Sequence, residues 1–458
     1  MEGADEMMKK DKVGVVEQFV FGSGQVGLNA LYTLFSSYVL YFYTDVIGMN
    51  AALIGTVILI SKVFDGVSDL IAGQLIDTHK SKRGHCIPVL AKWTLPMVAS
   101  VTLVFLVPDL SIALRTAFIF VTYNLFNTVL YTYVNLAHNS LASYATDDPT
   151  TRSKMLCYSM LFAALTQTIM ASAILPMVNF YGGQDSQSAW VKSILTFGAV
   201  GTVFLFLNVL AVKERVDNEA PSENIIQSVK VAFQNKYWLM SAVLQICCTI
   251  VLLFNLSISV YYLENVAGNL GLMGAYVAAS NIPGIIGMLI IPSFLDKISK
   301  KKLVLLGGVF MLIGQVVFIL GPTDNTTILI GTALLRGIGF MFPMGLVNAM
   351  TGDTIEYGEW KTGTKVQAVL FSAKCVAEKL GQGLMTSLFG FFLTAVGYDG
   401  NLAVQPESAV LGIEKFFKFA PLVAIAVILL ICMGWKLDDE MPQIQKELEA
   451  RREKAIAK

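Results

Sequence analysis

Long apolar runs recur along the whole chain, separated by shorter polar stretches. A run of about 20 apolar residues is long enough to cross the hydrocarbon core of a bilayer as a helix. The pattern predicts spans at about 19–43, 51–76, 87–107, 112–140, 155–179, 189–212, 237–263, 271–292, 303–321, 326–350, 366–396 and 412–435. The expected fold class is therefore an all-α membrane protein, with twelve transmembrane helices in two six-helix bundles. The longest polar internal stretch, 213–236, divides six spans from six. This gives an N-terminal segment 1–18, a first bundle 19–212, a central loop 213–236, a second bundle 237–437 and a tail 438–458. The opening segment is charged and lacks a short apolar core with a cleavage site, so no cleaved signal peptide is expected.

Charge placement sets the orientation. If the N-terminus is inside, 24 of the 33 Lys and Arg fall in cytoplasmic segments. The external loops, taken with the span edges that adjoin them, hold only Arg115, Lys192, Lys415 and Lys418, while Lys62, Lys92, Arg336, Lys374 and Lys379 lie deeper within spans. The positive-inside rule then puts both termini in the cytoplasm of a multi-pass protein of the plasma (inner) membrane.

Composition agrees. Of 458 residues, 55% are hydrophobic and only 14% are charged, whereas a soluble domain carries about 25% charged residues. Lys+Arg and Asp+Glu are both 33, so there is no basic excess for a nucleic-acid partner. The six cysteines have no metal-ligand spacing and read as small packing residues. No nucleophile–base constellation or metal-ligand set appears in the spans, so an enzyme is not expected and no cofactor is implied.

A weak repeat relates the halves. Span two ends at Asp77, followed by Lys80, Lys82 and Arg83; span eight ends at Asp296, followed by Lys297 and Lys300 to Lys302. Basic loops and Asp at helix ends are common, but the repeat points to Asp77, Arg83 and Asp296 as a conformational gate. A six-plus-six layout of this kind belongs to transporters with a midplane site. The tail has mixed charges at helical spacing and reads as a solvated cytoplasmic helix.

Charges within the membrane each cost at least about 2.5–3.5 kcal/mol and face a cavity or a partner. In span two, Lys62, Asp65 and Asp69 are spaced by three and four and share one helix face. Two carboxylates one turn apart repel unless one is protonated or a cation intervenes. A structural ion pair from Lys62 to one Asp is the plainer alternative. If the cation is Na⁺, Asp65 and Asp69 are its oxygen ligands; the pair serves H⁺ equally. In span eleven, Lys379 either approaches these carboxylates across the bundles or instead pairs with Glu378 or snorkels to the surface, and spacing does not separate the two readings. In span four, Asn124, Thr128, Tyr131, Asn135 and Asn139 form one face, with Thr132 and His138 beside it. In span one, Gln25, Asn29, Tyr32 and Ser36 form another. Such faces suit a polyhydroxylated solute or bind helices together.

The stretch Tyr43-Thr44-Asp45-Val46-Ile47-Gly48 with Phe64-Asp65-Gly66-Val67-Ser68-Asp69 resembles the glycoside–pentoside–hexuronide:cation symporters, of which the melibiose permease is the best-known member. Lys82-Arg83-Gly84, Tyr181-Gly182-Gly183 and the run from Asp353 to Lys361 extend the resemblance through nearly the whole chain. The resemblance implies the major facilitator fold. It also implies that Asp65, Asp69 and Thr132 form a cation site and that Lys379 serves both cation and sugar. Asn29 and Asn135 stand where the melibiose permease has sugar-binding aspartates. Asn139 stands where it has a tryptophan, and a residue near Met160 where it has an arginine, so galactoside specificity does not carry over.

The expected function is cation-coupled symport, with Na⁺ or H⁺, of a small solute such as a sugar or glycoside through the lipid bilayer by alternating access. The substrate contacts would be Asn29, Tyr32, Asn135, Asn139 and Lys379. An amphipathic or acidic solute on the same fold, or a nutrient sensor that binds without accumulating, are the alternatives.

Overall fold

In a computed structural model, the described residues are 13–78, 81, 83–146, 148–216, 234–295, 297–322, 325–362, 367–402 and 404–456. They are almost entirely helical. In chain order the long helices are α1 (Val15–Tyr41), α2 (Ala51–Thr78), α3 (Ile87–Phe105), α4 (Ile112–Ala145), α5 (Pro149–Tyr181) and α6 (Gln187–Ala211). They continue with α7 (Lys236–Asn265), α8 (Met273–Leu295), α9 (Lys300–Leu320), α10 (Thr326–Thr362), α11 (Gln367–Ala395), α12 (Glu407–Gly434) and α13 (Leu437–Ile456).

Among the described residues, nine helices are long and apolar enough to cross a membrane. The other three expected spans correspond to α1, α2 and α11, which are long but carry polar or charged residues in the middle. Apolar side chains cover much of the outside, including Ile112, Phe180, Leu210, Leu320 and Leu430. A soluble protein would not leave so large an apolar surface bare. This is a multi-pass helical membrane protein.

The chain forms two compact units: residues 1–221 with 390–404, and residues 222–389 with 405–458. In the first, α1 packs on α5 and α6, and α3 packs on α4 and α6. A Cβ on Gly27 of α1 would collide with the Gly201 carbonyl of α6, so only glycine allows this approach of two backbones. In the second unit, Gly307 of α9 and Gly339 of α10 make the same kind of contact. Small residues replace the hydrophobic driving force that lipid removes.

Residues after α6 are tied to the first unit. Glu214 accepts from the backbone N–H groups of His85, Cys86 and Ile87 at 2.6, 2.8 and 2.7 Å. These are otherwise unsatisfied donors at the start of α3. Arg215 holds Glu17 of α1 through two bonds of 2.8 and 2.9 Å. In the same unit, Asp45 accepts from Thr44 at 2.5 Å and from the Tyr398 hydroxyl.

The tail departs from expectation. α13 is docked on the second unit, with Leu437, Ile444 and Leu448 buried beside Trp435. Trp360 of α10 donates to Glu447 at 2.6 Å, Gln445 donates to Glu356 at 3.1 Å and Tyr237 of α7 donates to Glu440 at 3.1 Å. Its charged residues are therefore one face of an amphipathic helix whose apolar stripe is covered. In the same unit, Lys300 at the start of α9 pairs with Asp353 of α10 at 2.6 Å.

Candidate functional site

The candidate cation site is made by α2 and α4. Lys62 and Asp65 are 2% and 3% exposed, too enclosed for bulk water to screen them. The Lys62 ammonium is 3.6 Å from one Asp65 oxygen, as their three-residue spacing allows. The ion pair considered from spacing is thus formed, but it is not the whole environment. The Asn127 side-chain amide donates to the same carboxylate at 3.1 Å, and the Thr132 hydroxyl lies 3.1 Å from the other oxygen.

Asn127 lies within an unusual stretch of α4, and Thr132 directly follows it. Between Asn124 and Tyr131 the helix is wound as a π-helix. Five residues separate Asn127 from Thr132, which in an ordinary α-helix puts them well apart around the axis. The wider turn brings them to one side, and the Thr132 hydroxyl is 3.0 Å from the Asn127 carbonyl. The Asp65 oxygens, the Thr132 hydroxyl and the Asn127 carbonyl are oxygen donors of the kind that hold a hard cation.

Further bonds fix the two helices in register. Asn124 donates to Ser61 at 2.8 Å and Ser68 donates to the Thr128 carbonyl, while within α4 Thr128 donates to Asn124 at 3.1 Å. Ser61, Asp65 and Ser68 are four and three residues apart and form one stripe of α2. Asp69 is half-buried on the next turn after Asp65. Among the described residues, no group of three His, Cys, Asp or Glu could hold a metal ion.

The amide faces of α1 and α4 meet one another. Asn29 donates to the Gln25 side chain at 2.7 Å, Gln25 donates to Asn139 at 3.2 Å, and Asn139 donates to Asn135 at 3.3 Å. Tyr32 is stacked on Tyr131 with ring centroids 4.7 Å apart. Asn29, Tyr32 and Asn135 are half-buried and Asn139 is exposed, so the network keeps an accessible edge. His138 is wholly buried behind it, stacked on Phe21 at 4.7 Å.

Lys379 is a half-buried residue of α11 in the second unit. Arg83 is exposed in the turn after α2. The Asp77 side chain and all of Asp296 lie outside the described residues. The sequence reading left out Asn127, and it set His138 beside the amide face without joining it to the network. The available signal was the density of Asn and Thr through 124–139, but only the π-helical winding shows which of them turn toward Asp65.

The profile of a family described as MFS/sugar transport protein matches residues 20–439. An isoprimeverose transporter from Lactiplantibacillus pentosus is 26% identical, over 98% of this chain and 95% of that protein. A putative glycoside/cation symporter, YagG, from Escherichia coli (strain K12) is 24% identical, over 95% of this chain and 93% of its own length. A glucuronide carrier protein homolog from the same strain is 25% identical, over 94% and 95%. Among solved structures, a bacterial homolog of the human lysosomal transporter Spinster, inward-facing and unoccupied, gives a TM-score of 0.70 at 10% identity, covering 94% of this chain and 98% of the other. The nucleoside transporter NupG gives 0.61 at 12% identity, covering 92% and 100%. These structures share the fold. With the family profile running through nearly all of its long helices, the chain belongs to the MFS/sugar transport protein family, a family of transporters.

Proposed function

We propose that this protein is a cation-coupled symporter that carries a sugar or glycoside by alternating access. The observation that carries the reading is the environment of Asp65. A carboxylate buried in a membrane helix is costly, and here Lys62, Asn127 and Thr132 surround it. Either coupling ion, Na⁺ or H⁺, neutralises Asp65 and competes with the Lys62 ammonium for it. Asp69, one turn on, is the second acidic member of the site, and Lys379 the residue shared with solute. Neutralisation lowers the barrier to reorienting the bundles, and linkage requires cation and solute to tighten each other's binding.

The solute meets the amide face of Asn29, Asn135 and Asn139 with the Tyr32 ring beside it. Amides donate and accept, and an aromatic ring covers the apolar side of a pyranose. Relatives named for isoprimeverose transport and glycoside/cation symport support this class of solute. Asp77, Arg83 and Asp296 act as the gate in this reading. The protein resides in the plasma (inner) membrane with both termini in the cytoplasm, as the distribution of Lys and Arg favours.

An acidic sugar is the second reading. Arg336 of α10 is half-buried, and its guanidinium bonds the neutral groups Gln315 at 2.9 Å and Tyr276 at 3.2 Å. The test for both is uptake into membrane vesicles of neutral glycosides, pentosides and uronides, each under an imposed Na⁺ gradient and an imposed pH gradient. Accumulation of a neutral glycoside supports the first reading, accumulation of uronides alone supports the second, and accumulation of none under either gradient refutes both.

A further inference from the structure

We infer that His138 is a positioning residue that sets the hydrogen-bond sense of the solute-facing amides. The inference rests on the proposed solute site. It follows from counting donors and acceptors through the network.

His138 Nε2 is 2.9 Å from the Phe21 backbone oxygen, which can only accept. Nε2 therefore carries a proton, and in the neutral ring Nδ1 is an acceptor. Gln25 Nε2 lies 3.4 Å from Nδ1 and donates to it. Its second proton goes to Asn139 Oδ1 at 3.2 Å. The Gln25 amide is thereby held one way round, with Oε1 turned toward Asn29.

The sense then propagates. Asn29 Nδ2 donates to Gln25 Oε1 at 2.7 Å and to the Gln25 backbone carbonyl at 3.1 Å. Both of its protons are spent, so Asn29 presents Oδ1, an acceptor. At the other end, Asn139 Nδ2 donates to Asn135 Oδ1 at 3.3 Å. Asn135 presents Nδ2, a donor. The face thus offers an acceptor from α1 and a donor from α4, a pair suited to one hydroxyl that donates and one sugar oxygen that accepts.

A buried histidine in a helix bundle is commonly a packed one. Here the ring is seated by specific means: it stacks on Phe21 at an interplanar angle of 10°, and a Cβ on Gly24 would collide with Nε2. Without the Nδ1 acceptor, the Gln25 amide can turn over, and both ends of the relay change character.

The test uses the full-length protein in membrane vesicles. Methyl β-D-xylopyranoside, methyl β-D-glucopyranoside and methyl β-D-galactopyranoside are measured for uptake. Their 2-, 3- and 4-deoxy counterparts then compete against the one best accumulated. In the unsubstituted protein, at least one deoxy competitor should be weaker by about tenfold, the worth of one hydrogen bond. His138→Phe keeps the stacking and removes both nitrogens, and it should reduce that ratio to about twofold while raising the KM of the parent glycoside. His138→Asn places an acceptor where Nδ1 was, and it should retain most of the ratio, which loss of packing alone would not. Gln25→Met interrupts the relay at its next member and should behave like His138→Phe; if His138→Phe does not reach the membrane, the ratio retained in His138→Asn and lost in Gln25→Met carries the test. An undiminished ratio in either His138→Phe or Gln25→Met overturns the inference while leaving the transport reading intact. Failure of all three glycosides to accumulate under either gradient instead removes the neutral-sugar reading beneath it.

Discussion

The Thr132 hydroxyl stands 3.1 Å from the Asp65 carboxylate while also lying 3.0 Å from the carbonyl of Asn127, five residues earlier in its own helix. That bond joins the charged turn of α2 to the π-helical segment of α4. Thr132→Val keeps the shape and removes the hydroxyl, leaving a buried carboxylate with one donor fewer. In vesicle uptake the half-saturating concentration of the coupling cation should rise about tenfold, the scale of one charge-assisted bond. Thr132→Ser should stay near the unsubstituted value. Equal cation dependence in the Val variant would show that the hydroxyl has no part in the site.

The π-helical winding makes a second prediction. Deleting Leu125 shortens the segment by one residue and lets α4 return to 3.6 residues per turn. Asn127 and Thr132 could then no longer both reach Asp65. The variant should still reach the membrane but lose gradient-driven accumulation. Retained coupling would mean that the winding is incidental.

Glu214 should matter for stability rather than for coupling. It caps three backbone N–H groups at the start of α3. Loss of a helix cap costs about 1–2 kcal/mol. Glu214→Ala should lower the melting temperature in detergent by several degrees, and Glu214→Gln, which keeps an acceptor, by less. No change in melting would show that water replaces the cap without penalty.

Asp45 follows the last apolar residues of the first expected span. Burial pushes its carboxyl up to about 6, against the opposing bonds from Thr44 and Tyr398. The folded protein therefore holds this proton more tightly than the unfolded chain, whose carboxyl titrates near 3.8. Its contribution to stability is full below about pH 4 and is lost as pH rises through about 6. Asp45→Asn should remove that part of the pH dependence and melt higher than the parent at pH 7. Identical melting profiles for the two proteins from pH 4 to 7 would contradict the shift.

Most of the architecture was legible because a membrane span announces itself over 20 residues. The charged middle of α2 was legible too, since Lys62, Asp65 and Asp69 share a face at ordinary helical spacing. The partners on α4 were not. A 3.6-residue period places Asn124, Thr128, Asn135 and Asn139 on a single face. The π-helical segment divides them: Asn124 and Thr128 serve the α2 contact, whereas Asn135 and Asn139 join Gln25. Asn127, which a 3.6-residue period puts at the edge of that face, three residues after Asn124 and four before Tyr131, reaches Asp65. The tail misled for another reason. Its charges dominate the pattern, and the apolar pair Ile444 and Leu448, four residues apart, is a short signal that only the docked structure reveals as an anchor.

Accumulation in vesicles of Asp65→Cys, with Asp69→Cys alongside, tests the ion-coupling claim most directly. A membrane potential of 100 mV supplies about 2.3 kcal/mol per charge moved, roughly a 50-fold concentration ratio. The unsubstituted protein should concentrate its glycoside toward that scale when the correct cation gradient is imposed. Both variants should reach the membrane and fail to accumulate the glycoside above the external concentration. Full accumulation by both would contradict the account, because buried carboxylates that can be removed without loss are not where the driving ion binds.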